Sequence, residues 1–211
     1  MNNSYTIIKR FLDISLSMVG IFICMPIFTL IYFIIRLDSE GPGIFIQDRV
    51  GLNGQVFKMY KFRTMVKNAE ELKSQYSHLN ETNSPLFKIK NDPRLTRVGN
   101  FLRNSNLDEL PQLVNVLKGQ MSLVGPRPFL CAEFLQFEPW HKERLKVRSG
   151  MTSFWHVYGR QILPVDFQSW VESDLEYTKK MNLLVDFKII MKTIFMVFTH
   201  INNMVLLRLR K

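Results

Sequence analysis

The chain has 211 residues, 46% of them hydrophobic, and a formal net charge of +10. That length holds one compact domain with a real core and excludes two full-sized domains unless one is very small. Cys24 and Cys131 stand far apart, which excludes a disulfide framework and a CxxC metal knuckle, and the excess of Lys and Arg favours an anionic partner, whether nucleic acid, acidic lipid or a phosphorylated substrate.

Apolar residues are pooled near the start. Residues 14–35 contain no charged side chain, whereas 36–160 are densely charged and punctuated by Gly and Pro. The run is too long for the apolar part of a signal peptide and no small-residue cleavage site follows, so it is expected to stay on the mature protein. As a helix over 11–37 it would be about 40 Å long, more than the roughly 30 Å of a hydrocarbon core. Pro26 near its middle deletes the amide that would bond the carbonyl of Phe22. Lys9 and Arg10 precede the run, and Arg36, Arg49, Lys58, Lys61 and Arg63 follow it, so the positive-inside rule wants both ends in the cytoplasm. Two topologies stand at this point: a single-pass anchor, and a kinked helix that enters one leaflet and returns, with Ser15, Ser17 and Thr29 available to bond freed backbone groups.

Gly41-Pro42-Gly43 marks a turn, and residues 44–50 and 55–62 read as two strands around an Asn53-Gly54 hairpin signal. Residues 66–79 read as a polar helix and 82–93 as a loop. Helical spacing returns at Leu107, Leu110, Leu113, Val114 and Leu117 and stops at Gly119. Gly125-Pro126-Arg127-Pro128 is a rigid turn, and 148–159 is a short segment rich in aromatic residues. Residues 183–201 are apolar but carry Asp186, Lys188 and Lys192, each of which would cost about 2.5–3.5 kcal/mol at mid-bilayer. An interfacial helix is therefore expected there, with a core helix as the alternative. Trp140, Trp155 and Trp170 fit either interfacial anchors or core positions.

Asp108 and Glu109 stand at the start of the 107–117 helix, opposite its leucine face and close to Arg103. One carboxylate can serve as a nucleophile and the other as a Mg²⁺ ligand, but Asn106 followed by Glu109 also matches a capping box. Lys61 and Arg63 alternate along the end of the second strand, so both cations can address one diphosphate, or both can sit on a solvated face. Arg127 is fixed between two prolines, which restricts its guanidinium and prepares it for an anion. No GxxxxGK[ST], HExxH, GxSxG or GxGxxG motif occurs, and His78, His141, His156 and His200 lack ligand spacing.

The ordered motifs resemble the bacterial sugar transferase family, the small monotopic phosphoglycosyl transferases, over about residues 9–193. They are Lys9-Arg10-Phe11-Leu12-Asp13, Gly41-Pro42 with Phe45, Gln47 and Arg49, residues 51–54, 61–65, Asp92-Pro93-Arg94, Gly99, Phe101-Leu102-Arg103, 107–113, 115–119, 121–128 and Gly159-Arg160. The resemblance implies an α+β, mostly helical fold. Residues 1–40 would form a re-entrant membrane helix broken at Pro26. Residues 41–211 would form a catalytic domain with a small β-hairpin and interfacial amphipathic helices around an active site at the cytoplasmic face of the bacterial inner membrane.

It also implies a two-step displacement. Asp108 attacks the sugar-bearing phosphorus of a UDP-sugar, UMP leaves, and a polyprenyl phosphate, undecaprenyl phosphate in bacteria, takes the phosphosugar in the first membrane step of surface glycan assembly. Glu109 would hold Mg²⁺ and Arg103 would meet a phosphate, with Lys61, Arg63 and Arg127 as further phosphate or nucleotide contacts. Membrane lipids and downstream glycosyltransferases are the other expected partners, and nucleic acid is not. A membrane-tethered basic binding module would account for the charge but has no need for the acid pair. The sequence departs from the family pattern at Met25, where Ser is usual before the proline, and at Ser149, Ser153 and His156, positions expected to bear on sugar or nucleotide selection.

Overall fold

The computed structural model describes residues 3–82, 85–159 and 167–209. Helix α1 (Asn3–Asp38) leads into a hairpin of β1 (Ile44–Val50) and β2 (Val56–Phe62). Helices α2 (Arg97–Ser105) and α3 (Gln112–Leu117) follow, then β3 (Ser122–Val124), β4 (Phe129–Leu130), α4 (Cys131–Phe134) and β5 (Gly150–Thr152). The chain closes with α5 (Phe154–Tyr158), α6 (Phe167–Lys180) and α7 (Leu183–Leu209). The described residues are thus mostly helical, with one sheet in the order β2-β1-β4 and a parallel β3-β5 pair.

The hairpin forms as its sequence predicts. Asn53 and Gly54 both take positive φ, at 53° and 80°, which is the backbone an Asn-Gly turn supplies at low cost. Register then places Phe45 opposite Lys61 and Arg49 opposite Phe57, so Phe45, Gln47, Arg49 and Lys61 share one face.

Residues 66–79 do not form the expected helix. They break into turns and two short 3-10 segments, Glu71–Lys73 and Ser77–Leu79. The serines explain this locally: Ser74 Oγ donates to Glu71 O and Ser77 Oγ to Ser74 O, offering the backbone an alternative to helix bonding.

Among the described residues, α1 alone is long and apolar enough to cross a membrane. At 36 residues it is about 54 Å long. It is helical on both sides of Pro26, which removes one amide donor from the helix. Thr29 Oγ1 donates to Met25 O (3.1 Å) in the turn that holds the proline.

Most of the α1 surface is exposed and apolar, including Phe22, Ile23, Phe33 and Leu37, yet both of its ends are bonded to the rest of the protein. Near the start, Lys9 Nζ meets Asp186 at 2.6 Å, Arg10 donates to the carbonyls of Val116 and Leu117, and Asp13 accepts from the Leu123 amide. At the other end, Asp38 accepts from the Val98 amide, and Ile31 and Ile35 pack with Phe62 and Leu102.

Helix α7 buries Asp186 and Ile189 on one side and exposes Leu184, Phe187, Ile194, Phe195 and Phe198 on the other. Trp155 is core, stacked on Trp170 with centroids 5.7 Å apart, and Trp140 packs against the Phe129–Phe137–Phe167 cluster. Arg160 lies outside the described residues.

Candidate active site

The acid pair sits on a tight turn, not on the first turn of a regular helix. Pro111 has no amide to donate, so the chain enters through a 3-10 segment, Leu107–Glu109, and α3 begins only at Gln112. Asn106 takes a left-handed conformation (φ 58°) that ends α2 and turns the chain, and its carbonyl accepts from the Glu109 amide at 3.3 Å. The capping box that stood as the alternative reading does not form: Asn106 makes no side-chain cap, and the Glu109 carboxylate points to Lys61 instead.

Glu109 Oε1 lies 2.9 Å from Lys61 Nζ and 3.6 Å from Arg127 Nη1. Lys61 arrives from β2, Arg127 from the double-proline turn and Arg103 from the last turn of α2, so three separate elements converge on two adjacent carboxyls. The side chain of Arg103 is 49% exposed, with Nη1 4.0 Å from Asp92 Oδ2. Asp92 itself grips Arg94 through both carboxylate oxygens (2.9 and 2.7 Å).

Arg63 is not brought to the acid pair. The strand ends at Phe62, and the Arg63 guanidinium turns to the end of α1, donating to the carbonyls of Ser39 (2.7 Å), Glu40 and Ile35. Two of those carbonyls belong to the residues just past the end of α1, and the third, Ile35 O, also accepts from the Ser39 amide at 3.2 Å, so Arg63 ties down the exit of the helix. Arg63 thus lines the same cleft as Lys61, but its guanidinium is engaged by backbone carbonyls at the end of α1.

Environment separates the two acids. Burial is the largest influence on Asp108 and raises its pKa; the neighbouring Glu109 adds to the rise, while Lys61, Arg103 and Arg127 oppose it. Burial pushes Glu109 up as well, but Lys61 and Arg127, together with the Lys61 hydrogen bond, outweigh it and hold that carboxyl well below the usual range. Burial lowers Lys61 against the pull of Glu109, and the 2.9 Å contact is that of an ion pair. Adjacent acids driven apart in this way can take different roles.

Both acids line an open cleft of about 550 Å³. Its walls carry Arg49, Lys61, Arg103 and Arg127, along with His156, Trp155, Trp170 and Phe45. Sequence reasoning gave Arg49 no role, although its alternation with Phe45 and Gln47, carried across the hairpin to Lys61, was a usable signal. Burial, with Arg127 nearby, pushes Arg49 down to about 10, and its guanidinium is held by Gln47 Oε1 (2.7 Å) and Pro128 O (3.1 Å). Ser153 caps α5 by accepting from the His156 amide (3.0 Å), which sets His156 at the rim of the cleft.

Among the described residues no group of three His, Cys, Asp or Glu side chains could hold a metal alone. Mg²⁺ is commonly held by one or two carboxylates with substrate phosphates and water completing its shell, and Glu109, whose Oε1 is met by Lys61 and Arg127, is the carboxylate here that could contribute in that way.

Acids driven apart in pKa and lining a basic cleft are an arrangement common at functional sites. The chain is a member of the bacterial sugar transferase family, whose model matches residues 4–200. It is 41% identical over 191 residues to a galactosyl transferase, CpsE, of Streptococcus agalactiae serotype III, a match covering 90% of this chain and 42% of that protein. It is 36% identical over 190 residues to the exopolysaccharide production protein ExoY of Rhizobium meliloti, covering 88% of this chain and 83% of that one. With the UDP-glucose:undecaprenyl-phosphate glucose-1-phosphate transferase of Escherichia coli it shares 36% identity over 201 residues, 92% of this chain and 41% of that protein. The chain thus spans about two-fifths of the length of several curated relatives and most of ExoY.

Proposed function

We propose that the chain is a phosphoglycosyl transferase that moves a hexose-1-phosphate from a UDP-sugar to undecaprenyl phosphate at a membrane surface. The observation that carries the reading is the buried Asp108 beside Glu109, whose carboxylate meets Lys61 and Arg127, in an open cleft that Arg103 also lines. Asp108 attacks the phosphorus that bears the sugar, the anhydride bond to the nucleotide breaks, and UMP departs with its electron pair. A phosphate oxygen of the lipid then attacks the acyl phosphate, forming the new anhydride and returning the carboxylate. Each step exchanges one activated phosphate for another, so neither has to expel a poor leaving group.

Lys61 and Arg127, which both meet Glu109 Oε1, would stabilise the charge that gathers on the phosphoryl oxygens, and the more exposed Arg103 would meet the phosphate that enters. Glu109 would hold Mg²⁺, which would supply neutralisation of charge on the transferring group.

The membrane arrangement follows from where α1 is tied. Arg10 and Asp13 at one end and Asp38 at the other all bond the same body, which supports a topology in which α1 enters the membrane without carrying one end across it. In this reading both ends lie on the side of the active site, and the Lys and Arg on either side of the apolar run favour the cytoplasm for that side. The exposed apolar residues of α1 and α7 are what such a chain would lay against or into lipid.

The test is UMP release from a panel of UDP-sugars by protein in detergent or nanodiscs, with Mg²⁺ and undecaprenyl phosphate. Wild type should turn over, and Asp108→Asn should lose at least about a thousandfold. Mass spectrometry of protein incubated with donor alone should find a phosphosugar on the peptide containing Asp108. Equal rates for Asp108→Asn and wild type would sink the reading. Impermeant thiol labelling of a cysteine placed at Asn3 from the periplasmic side of intact cells would overturn the topology.

A further inference from the structure

The turn that carries Arg127 has three successive carbonyls, and each is held from a different element. Pro126 O accepts from the Gly150 amide (2.9 Å), Arg127 O from Arg144 Nη2 (2.7 Å) and Pro128 O from Arg49 Nη1 (3.1 Å). With prolines fixing φ on both sides of Arg127, little backbone freedom remains there. Arg144 is 1% exposed, stacks its guanidinium 4.3 Å from the Phe129 ring centroid, and pairs with Asp174, also 1% exposed.

As a stabiliser this pair is poor. Arg144 Nε and Nη1 and Asp174 Oδ1 are buried without a protein partner, and a buried ion pair with unmet polar atoms gives little or nothing over apolar packing. What it does do is hold Arg127. Asp174 lies one turn beyond Trp170 on α6, and the Trp170 ring sits 5.8 Å from the Arg127 guanidinium. Helix α6 therefore grips Arg127 twice, at the side chain through Trp170 and at the carbonyl through Asp174 and Arg144.

We propose that Arg144 and Asp174 are positioning residues whose role is to aim the Arg127 guanidinium at the anion bound over the acid pair. The inference rests on the phosphate-handling reading of the cleft. Neither side chain reaches the cleft itself; both act through the Arg127 backbone.

A double-mutant cycle separates this from a merely structural role. Replacing both members by apolar residues, Arg144→Met with Asp174→Leu, removes the donor to Arg127 O without leaving a lone buried charge. The expected result is a fall of about tenfold in kcat/KM for UMP release, and no further fall when the same pair is introduced into Arg127→Ala. Inorganic pyrophosphate binding, measured by calorimetry, should weaken in the same pattern. If the apolar pair does not fold, Arg144→Lys is read instead. It keeps the ion pair but loosens the grip on the carbonyl, and about a threefold loss should appear in wild type alone.

An equal loss with and without the Arg127 side chain, or no loss at all, overturns the proposal. Should wild type release no UMP from any donor while pyrophosphate binding still follows the cycle, the transferase reading fails and the positioning role stands.

Discussion

Lys61 Nζ meets Glu109 Oε1 at 2.9 Å, and through that contact strand β2 sets the charge of the turn that carries the acid pair. Both side chains are 15% exposed, so the attraction acts with little solvent screening. Lys61→Met should leave the hairpin intact, because its neighbours in register are unchanged, and lower kcat for UMP release about a hundredfold through loss of a cation beside the transferring phosphate. Lys61→Arg should recover part of that loss. A Lys61→Met protein that turns over at the wild-type rate would remove Lys61 from the phosphate site.

How much of this was legible beforehand depends on whether the deciding interaction was local. The β-hairpin could be read because Asn53-Gly54 and strict alternation act over a few residues, and the convergence of Asp108 and Glu109 with Arg103 followed from nearby positions in the chain. The 66–79 segment misled because serine hydroxyls and backbone compete in ways that residue spacing does not record. Arg63 misled for a different reason: alternation placed it beside Lys61, but the chain leaves the sheet after Phe62 and the end of α1 supplies better acceptors. Arg10 looked like a flanking charge of a membrane run, whereas it and Asp13 each close a specific long-range contact. The Arg144–Asp174 pair, thirty residues apart in the chain, had no sequence signal at all.

Arg63 should accordingly behave as a structural residue. Arg63→Met leaves the carbonyls of Ser39 and Glu40 without their donor and should lower stability by about 2–3 kcal/mol, seen as a lower melting temperature. The donor KM, measured on protein kept folded at low temperature, should stay within about twofold of wild type, since a one-decade change would already be about 1.4 kcal/mol of lost contact. A large KM change with unaltered melting would return Arg63 to the substrate.

Asp92 links stability to pH. Burial raises its pKa, but the hydrogen bonds and charge of Arg94 outweigh burial and leave it depressed. A carboxyl whose folded pKa lies below its unfolded one contributes fully above the unfolded value, about 4, and loses that contribution as pH falls through the folded value. Asp92→Asn should therefore cost about 3 kcal/mol at pH 7, and the difference from wild type should shrink steadily below pH of about 4. Denaturant melts at several pH values read this directly; a difference that grows on acidification would mean the pair is not what holds Asp92.

Gly99 makes the sharpest steric prediction. A Cβ there would lie 1.9 Å from Thr64 O, a backbone atom that already accepts from the Thr96 amide at 3.0 Å and so cannot swing aside. Gly99→Ala must push α2 away from the chain that follows β2, and α2 carries Arg103 and delivers the turn at Asp108. The expected cost is about 3 kcal/mol, in the range of overpacked cores, with a loss of turnover that persists below the melting temperature because the helix is displaced even when folded. Gly54→Ala is the contrasting substitution. It pays only for positive φ (80°), about 1 kcal/mol, and meets nothing nearer than the Phe134 ring at 3.9 Å. Equal melting temperatures for the two variants would show that α2 does not pack as closely on Thr64 as this geometry requires.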